Sequence, residues 1–194
     1  MLKSALCVIA LLLACCAHAA QPRVMLKTSM GPITIELYPE NAPRTVENFL
    51  QYVKDGHYNG ALFHRVIDGF MIQGGGYTPK WEERPTRPPI PNEAGNGLRN
   101  SAGMVAMART SDPNSATAQF FINLAGNDFL DFRDRSPEGY GYAVFGKVID
   151  GMDAVRRIAK TPTHAGPPPH ENVPVRPVVI QRAEIVTAAP QPQK

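Results

Sequence analysis

Short runs of alternating apolar and polar residues dominate this chain of 194 residues. The clearest run places Ile33, Ile35 and Leu37 between polar neighbours, which predicts a strand with one buried face. Comparable runs predict further strands at 24–28, 62–67, 70–73, 104–108, 119–123, 142–148 and 178–186. Many short strands joined by loops rich in glycine and proline favour a closed antiparallel barrel or a sandwich.

Helical spacing of apolar residues occurs in two places. Pro43 begins the first predicted helix, in which Phe49 and Val53 belong to one apolar stripe. The helix is expected to end before Gly56, because a C-terminal cap favours glycine. A second helix is predicted at about 151–159 from its apolar spacing. We expect the two helices to close the ends of a barrel.

The first nineteen residues have the pattern of a secretory signal peptide. Lys3 is their only charge, and the apolar run at 5–14 is too short to span a bilayer. Ala17-His18-Ala19 resembles a cleavage site. We therefore expect a periplasmic protein without a stable membrane span. Processing as a lipoprotein at Cys15 is the less favoured alternative, because the residues before it resemble a lipoprotein site only loosely.

Charge and cysteine content exclude several kinds of site. All three cysteines precede residue 20, so the processed chain is expected to have no disulfide, cysteine nucleophile or thiolate metal site. A formal net charge of only +3 argues against nucleic acid as a partner. The expected organisation is a signal peptide at 1–19, one domain at 20–189 and a disordered tail at 190–194.

The run FHRVIDGFMIQGG at 63–75 is the most informative part of the chain. Two apolar runs flank Asp68-Gly69, a pair that favours a tight hairpin turn. Unless a bulge changes the parity, alternation along the second run separates two faces: Phe70, Ile72 and Gly74 on one, Met71, Gln73 and Gly75 on the other. Arg65 is thereby expected on a rigid sheet beside an apolar surface.

Five runs in order resemble the cyclophilins, a family of peptidyl-prolyl cis-trans isomerases, and most of all its exported bacterial branch. The runs are FHR…GFMIQGG at 63–75, MAR at 107–109, QFFI at 119–122, FLD at 129–131 and VFGKV at 144–148. The resemblance implies a mainly β fold, a closed eight-stranded antiparallel β-barrel capped by two α-helices. It also implies isomerase activity on proline-containing exported polypeptides by a monomer that uses no cofactor and no metal.

The same resemblance implies a set of site residues. The catalytic set is Arg65, Phe70, Gln73 and Phe121, and the substrate-binding set is Met71, Ala108, Arg109, Gln119, Phe129, Leu130 and Tyr142. By this resemblance the proline ring enters an apolar pocket, and Gln73 holds Arg65 in place. Ordinary core packing is the alternative interpretation of the apolar members, and a surface ion pair is the alternative for Arg65.

The chain departs from many relatives at three of these positions. Arg109 stands where many have asparagine, and the change is expected to be tolerated because the contact implied there is through the backbone. Phe129 replaces a tryptophan whose N–H the inhibitor cyclosporin uses, so weak cyclosporin binding is expected. Tyr142 replaces a histidine but keeps an aromatic body and a hydroxyl. The segment 132–141 looks extended and charged, and is expected to alter the rim of the groove.

The chemistry expected of Arg65 follows from the substrate bond. Rotation about an X-Pro peptide bond has a barrier of ~18–20 kcal/mol because its C–N bond has partial double character. At the twisted transition state the prolyl nitrogen gains a usable lone pair, and a donor aimed at it binds that state better than either planar state. A guanidinium is such a donor, with permanent charge and a planar fork of N–H groups.

Other candidate groups have simpler explanations. His64 has no evident carboxylate or nucleophile partner and is interpreted as structural. His164 and His170 lie outside the usual zinc spacings and are expected in a solvated loop. The glycines at 74–76 are expected to let another chain segment approach closely, and Trp81 suggests no function. A peptide-binding chaperone with little turnover remains the alternative function, whereas a hydrolase lacks a nucleophile–base pair.

Overall fold

The computed structural model describes residues 21–186. The expected signal peptide, the lipoprotein alternative at Cys15 and the expected tail at 190–194 lie outside the described residues. The elements are β1 Arg23–Thr28, β2 Gly31–Leu37, α1 Pro43–Lys54, β3 Ala61–Ile67, β4 Met71–Gly74, β5 Met104–Met107, β6 Phe120–Asn123, a 3-10 helix Asp128–Leu130, β7 Val144–Asp150, α2 Met152–Ala159, β8 Thr163–His164, β9 Val173–Pro174 and β10 Val179–Val186.

Eight strands form a closed antiparallel barrel, in the order β1-β10-β3-β4-β6-β5-β7-β2. The predicted fold class is therefore confirmed. In the long segment at 160–177, β8 and β9 form a small sheet separate from the barrel. Thr163 pairs with Pro174 and His164 with Val173, so the segment folds back on itself as a short hairpin.

Alternation along the strands explains what fills the barrel. Ile33, Ile35 and Leu37 of β2 are fully buried, while the residues between them keep some exposure. Burying each such side chain contributes about 1.5–3 kcal/mol. The polar positions between them face outward, as a half-buried strand requires.

The two helices complete the same core. In α1, Phe49 lies 5.0 Å from Phe145 and 5.5 Å from Phe120, measured between ring centroids. In α2, Val155 and Ile158 belong to the same buried cluster as the inward residues of the strands. Neither helix within residues 21–186 has the length and apolar character needed to cross a bilayer.

The predicted hairpin is present between β3 and β4. Val66 pairs with Ile72 across it, and Gly69 in the turn has φ of +72°, a conformation that glycine adopts without steric cost. The register shifts between Phe63 and Arg65, so the two strands contain a bulge. Arg65 thereby lies opposite Gln73, which brings the two polar residues of the hairpin together.

Candidate active site

One row of paired residues crosses four neighbouring strands of the barrel. Arg65 of β3 pairs with Gln73 of β4, and Gln73 pairs with Phe121 of β6. Phe121 in turn pairs with Ala106 of β5. Directly opposed residues of adjacent strands share one face of a sheet. Because Ile72 belongs to the core inside the barrel, this row lies on the outer face.

A cavity of about 100 Å³ opens on this outer face. Its lining consists of nine residues that were all predicted for the site: Arg65, Phe70, Met71, Gln73, Ala108, Arg109, Phe121, Leu130 and Tyr142. The apolar members form a second hydrophobic cluster, separate from the barrel core. These side chains thus pack around an open cavity outside the barrel core, and their part in binding substrate stays a prediction.

The predicted faces of β4 need one correction. Phe70 was placed with Ile72, but it lines the cavity together with its neighbour Met71. The reason is that β4 begins at Met71, so Phe70 still lies in the turn and does not follow the alternation of the strand. Two consecutive large apolar side chains thus reach the same cavity, which strict alternation does not allow.

Arg65 lies at the polar edge of the cavity and is half-buried. Its Nη1 donates to Oε1 of Gln73 at 3.5 Å, a long hydrogen bond, and Nε2 of Gln73 donates to Oε1 of Gln119 at 3.0 Å. Arg65 forms no salt bridge with any residue that the structure describes, so the surface ion pair is the wrong interpretation. Most of its N–H groups remain available to a ligand.

Gln119 lies outside the lining of the cavity and is joined to it by its hydrogen bond with Gln73. Its side chain passes over Gly76, where an added Cβ would lie only 2.5 Å from Nε2 of Gln119. At Gly74 a Cβ would lie 2.8 Å from the carbonyl oxygen of Leu62 on the neighbouring strand. The prediction that these glycines permit close approach is thus confirmed at both positions.

Two aromatic pairs extend the apolar wall. The rings of Phe121 and Tyr142 meet edge to face, with their centroids 5.7 Å apart. Phe70 and Phe129 stack at 5.6 Å with an interplanar angle of 28°. Phe129 is 67% exposed and lies outside the lining of the cavity. It therefore continues the wall outward as a flat surface rather than closing the pocket.

The Arg109 side chain has contacts that the resemblance did not imply. Its guanidinium donates to the carbonyl oxygens of Gly141 at 3.0 Å, Thr110 at 2.8 Å and Pro137 at 3.4 Å. Its Cζ also lies 4.6 Å from the ring centre of Tyr142. One arginine thus joins two loops and covers a pocket residue from the solvent side.

A chain of three buried asparagines supports the pocket from behind, and sequence reasoning missed it. Nδ2 of Asn127 donates to Oδ1 of Asn123 at 2.7 Å, and Nδ2 of Asn123 donates to Oδ1 of Asn100 at 3.2 Å. The chain also binds backbone carbonyls of three pocket residues: Phe70 through Asn127, and Leu130 and Tyr142 through Asn100. In the sequence, the only indication of this chain was that three asparagines occur near the family runs.

His64 faces away from the cavity. It is 4% exposed, and its Nδ1 has no hydrogen-bond partner among the described residues. Burial lowers the pKa of His64 to about 4, and electrostatic interactions with His170 and Arg65 add to the effect. The imidazole is therefore neutral at ordinary pH, in agreement with its structural interpretation.

His170 packs in an aromatic cluster, which corrects the expectation for this residue, whereas His164 is exposed as expected. Its ring lies 4.6 Å from Tyr77 and 4.8 Å from Trp81, and Tyr77 lies 4.9 Å from His64. Trp81 thus has a packing role, because it joins the loop at 76–102 to the segment at 160–177. Residues 77–81 and 170 are too far apart in sequence for local patterning to predict the contact.

Residues 23–185 match the family described as “Cyclophilin type peptidyl-prolyl cis-trans isomerase/CLD”. The chain belongs to the cyclophilin family. It is 56% identical over 165 residues to the peptidyl-prolyl cis-trans isomerase cyp18 of Streptomyces antibioticus, an alignment that covers 84% of this chain and 98% of the relative. Among its relatives is also the peptidyl-prolyl cis-trans isomerase B of Escherichia coli, 49% identical over 84% of this chain and 98% of that protein.

Solved structures agree with this assignment. A cyclophilin type isomerase of Cryptosporidium parvum has a TM-score of 0.70 at 25% identity, over 87% of this chain and 99% of that one. The same isomerase in the presence of the dipeptide Ala-Pro has a TM-score of 0.69 at 26% identity, over 86% and 99%. This cyclophilin is therefore a peptidyl-prolyl cis-trans isomerase that acts on proline-containing polypeptides.

Proposed function

We propose that this cyclophilin accelerates X-Pro isomerisation during the folding of exported proteins, with Arg65 stabilising the twisted amide. The observation that carries the proposal is a guanidinium without an ion pair at the edge of a small apolar cavity. The expected signal peptide supports the exported location. Exposed large apolar side chains are few among residues 21–186, which supports a monomer.

The proline ring is the group that the cavity fits. Phe70, Met71, Phe121 and Leu130 offer apolar contacts on several sides of a space of about 100 Å³. When these contacts hold the ring in place, the preceding residue remains free to rotate about the C–N bond. Structural work on the related Cryptosporidium parvum isomerase in the presence of Ala-Pro supports a dipeptide-sized ligand here. The pocket thus binds both planar isomers. The discrimination between these isomers and the twisted transition state comes from the polar edge of the cavity.

Arg65 supplies that discrimination. Gln73 restrains the guanidinium through one long hydrogen bond and is itself held by Gln119. A second N–H of Arg65 is then free to donate to the prolyl nitrogen as it becomes pyramidal. Such a preorganised donor typically contributes about 3 kcal/mol to the transition state. The remaining acceleration is assigned to the dry apolar surface around the twisting bond.

No proton transfer enters this mechanism. Arginine stays charged over the whole ordinary pH range, and His64 is neutral there because its pKa is lowered to about 4. Within residues 21–186 no group of three or more His, Cys, Asp or Glu side chains converges as metal ligands do. In this mechanism the residues at the cavity therefore act by shape and by the fixed positive charge of Arg65.

The test combines turnover with location. The processed chain should accelerate cis-to-trans conversion of a short X-Pro peptide in a protease-coupled assay, and should also accelerate the proline-limited refolding of an exported protein. Binding of both substrates without turnover would favour the chaperone alternative. N-terminal sequencing of the periplasmic protein should begin at Ala20. A lipid-labelled protein that begins at Cys15 would instead show membrane attachment.

A further inference from the structure

A second and larger groove lies away from the proline cavity, between α2 and the segment after it. Its volume is about 990 Å³, near the upper end of the ~300–1,000 Å³ common for ligand pockets. Its apolar surface comes from Met30, Pro162, Val175, Pro177 and Val178. Val175 is 56% exposed, which is unusual for a large hydrophobic side chain in this protein.

The margin of the groove is strongly basic. Four cationic residues line it, Arg156, Arg157, Lys160 and Arg176, against the single carboxylate of Asp153. This excess of three positive charges equals the formal net charge of the whole chain. The charged residues outside the groove sum to zero, so the formal net charge of the chain is located around this groove.

Two of these cations have no carboxylate partner. Arg157 is paired with Asp153 at 2.6 Å, and Lys160 is paired with Asp68 at 2.6 Å. Arg156 and Arg176 form no salt bridge with any residue in 21–186, and both are exposed. A ligand that brings carboxylates to these two guanidinium groups therefore displaces no internal ion pair.

We propose that this groove binds a segment of the polypeptide substrate in which acidic residues alternate with apolar ones. Apolar side chains would lie on Met30 and Val175, and carboxylates would meet Arg156 and Arg176. The chain's own ends do not have this chemistry, since residues 1–20 and 187–194 contain no aspartate or glutamate. A second copy carries net positive charge and is disfavoured for the same reason.

The position of the groove connects it to the isomerase site, and the proposal rests on the function proposed above. Lys160, on the groove margin, is bound to Asp68, which lies in the turn between β3 and β4. Phe70 of the proline cavity is in the same turn. A polypeptide with its proline in the cavity can thus continue over this turn into the groove, so the groove selects among prolines by the sequence around them.

The binding test uses a fluorescein-labelled, proline-free peptide in which glutamate alternates with leucine, titrated with the processed protein. The double variant Arg156→Glu/Arg176→Glu should weaken binding roughly tenfold or more, because two attractions become repulsions. Val175→Asp should weaken it as well, at an exposed site where folding is not at risk. Lys54→Glu/Lys80→Glu makes the same change of net charge at exposed positions off the groove and should leave binding nearly unchanged.

A peptide in which lysine replaces glutamate should bind at least tenfold more weakly to the wild type. Equal affinity for the two peptides, or equal losses in the groove variant and the control variant, would overturn the proposal. Concentration-dependent dimerisation that Arg156→Glu/Arg176→Glu abolishes would identify a second copy as the occupant, and would overturn it too.

Turnover separates this proposal from the proposed function. Arg156→Glu/Arg176→Glu should process a short X-Pro peptide like the wild type, but should show a severalfold higher KM for the same peptide linked through glycine-serine spacers to the acidic–apolar segment. If the wild type fails on the short peptide, the isomerase assignment of this site is wrong. If the wild type processes both peptides with the same KM, the groove does not take part in substrate binding.

Discussion

The isomerase site has two halves that are held by different forces. One half is carried by strands: Arg65, Gln73 and Phe121 lie in one cross-strand row of the barrel. The other half is carried by turns and loops, where Phe70 and Leu130 face the row across the cavity. In the proposed mechanism, the first half holds the charge that acts on the bond, and the second adds apolar surface for the ring.

Backbone pairing sets the positions of the residues in the strand half. Each residue of the row is fixed by the register of β3, β4 and β6, and a slip by one residue would send every side chain to the other face. The Arg65 side chain has one further support, its long hydrogen bond to Gln73. Changes in these side chains should therefore alter turnover more than stability.

The loop half has no ladder and depends on side chains instead. The buried asparagine chain binds the carbonyls of Phe70, Leu130 and Tyr142, and Arg109 binds the rim from outside. A buried amide that loses its partner costs about 1–3 kcal/mol. Changes here should therefore reduce stability and substrate affinity together. The proposed mechanism thus assigns chemistry and shape to separate residues of one site.

Arg65→Ala offers the largest expected effect and tests the strand half directly. We expect kcat/KM to fall about 100-fold or more, because one preorganised donor to a developing lone pair is worth about 3 kcal/mol. Arg65→Lys should recover little, since lysine lacks the planar fork. Urea unfolding of both variants should match the wild type. A folded Arg65→Ala protein with near wild-type turnover would refute the assignment.

Acid pH should weaken the strand half through His64. The pKa of this residue is lowered to about 4 in the folded protein, so the unfolded chain binds more protons between about pH 6.5 and pH 4. The free energy of unfolding is fully retained above that range, and should decline by up to about 3 kcal/mol as the pH falls through it.

Denaturant titrations at several pH values measure this decline, and His64→Gln should remove much of it. His57, whose burial also lowers its pKa, acts in the same direction, so only the difference between the two proteins reports on His64. Turnover should stay nearly flat between pH 6 and pH 8 in both. A rate that follows an ionisation near pH 6.5 and disappears in His64→Gln would instead make His64 a participant.

Asn123→Ala tests the loop half. The substitution removes hydrogen bonds to Asn127, Asn100 and the carbonyl of Met104 inside the protein. We expect a loss of about 2 kcal/mol in the free energy of unfolding and a higher KM, with kcat less affected. Asn41→Ala, at an exposed position, is the matched control. A stable variant with normal KM would mean that the asparagine chain does not hold the pocket.

Phe129→Trp tests the outer edge of the loop half with cyclosporin. Phenylalanine keeps the flat wall but has no N–H, and leaving an inhibitor carbonyl unpaired costs ~1–3 kcal/mol. We expect weak inhibition of the wild type and inhibition about tenfold tighter in the variant, with turnover little changed. The 67% exposure of Phe129 leaves room for the larger ring. Equal inhibition constants would show that the missing donor is not the cause.

Arg109→Ala should have the smallest effect. Without the guanidinium, the rim segment 132–141 and the ring of Tyr142 lose their shared support, and we expect KM to rise about threefold with kcat nearly constant. Arg109→Lys should not restore it, because one ammonium cannot reach both loops. Arg135→Ala removes an exposed arginine of the same rim and serves as the control. Equal KM values for both alanine variants would assign no positioning role to Arg109.

Local sequence patterns determined the strands, and the family resemblance implied that they close into a barrel. Period-two alternation marks a strand wherever one face is buried, so the barrel strands were predicted within two residues of their observed ends, as for Ile33 to Leu37 in β2. The family resemblance implied the membership of the site, and nine of the eleven predicted residues line the cavity. Both kinds of information are contained in a few consecutive residues.

Tertiary structure decided what joins these pieces. Phe70 reaches the cavity because the turn, not the strand, sets its direction. The asparagine chain joins Asn100 to Asn123, and the aromatic cluster joins Trp81 to His170, across long separations in sequence. Such contacts exist only after the barrel has closed and brought distant loops to one side. Their energy depends on burial and on geometry that no short window of residues specifies.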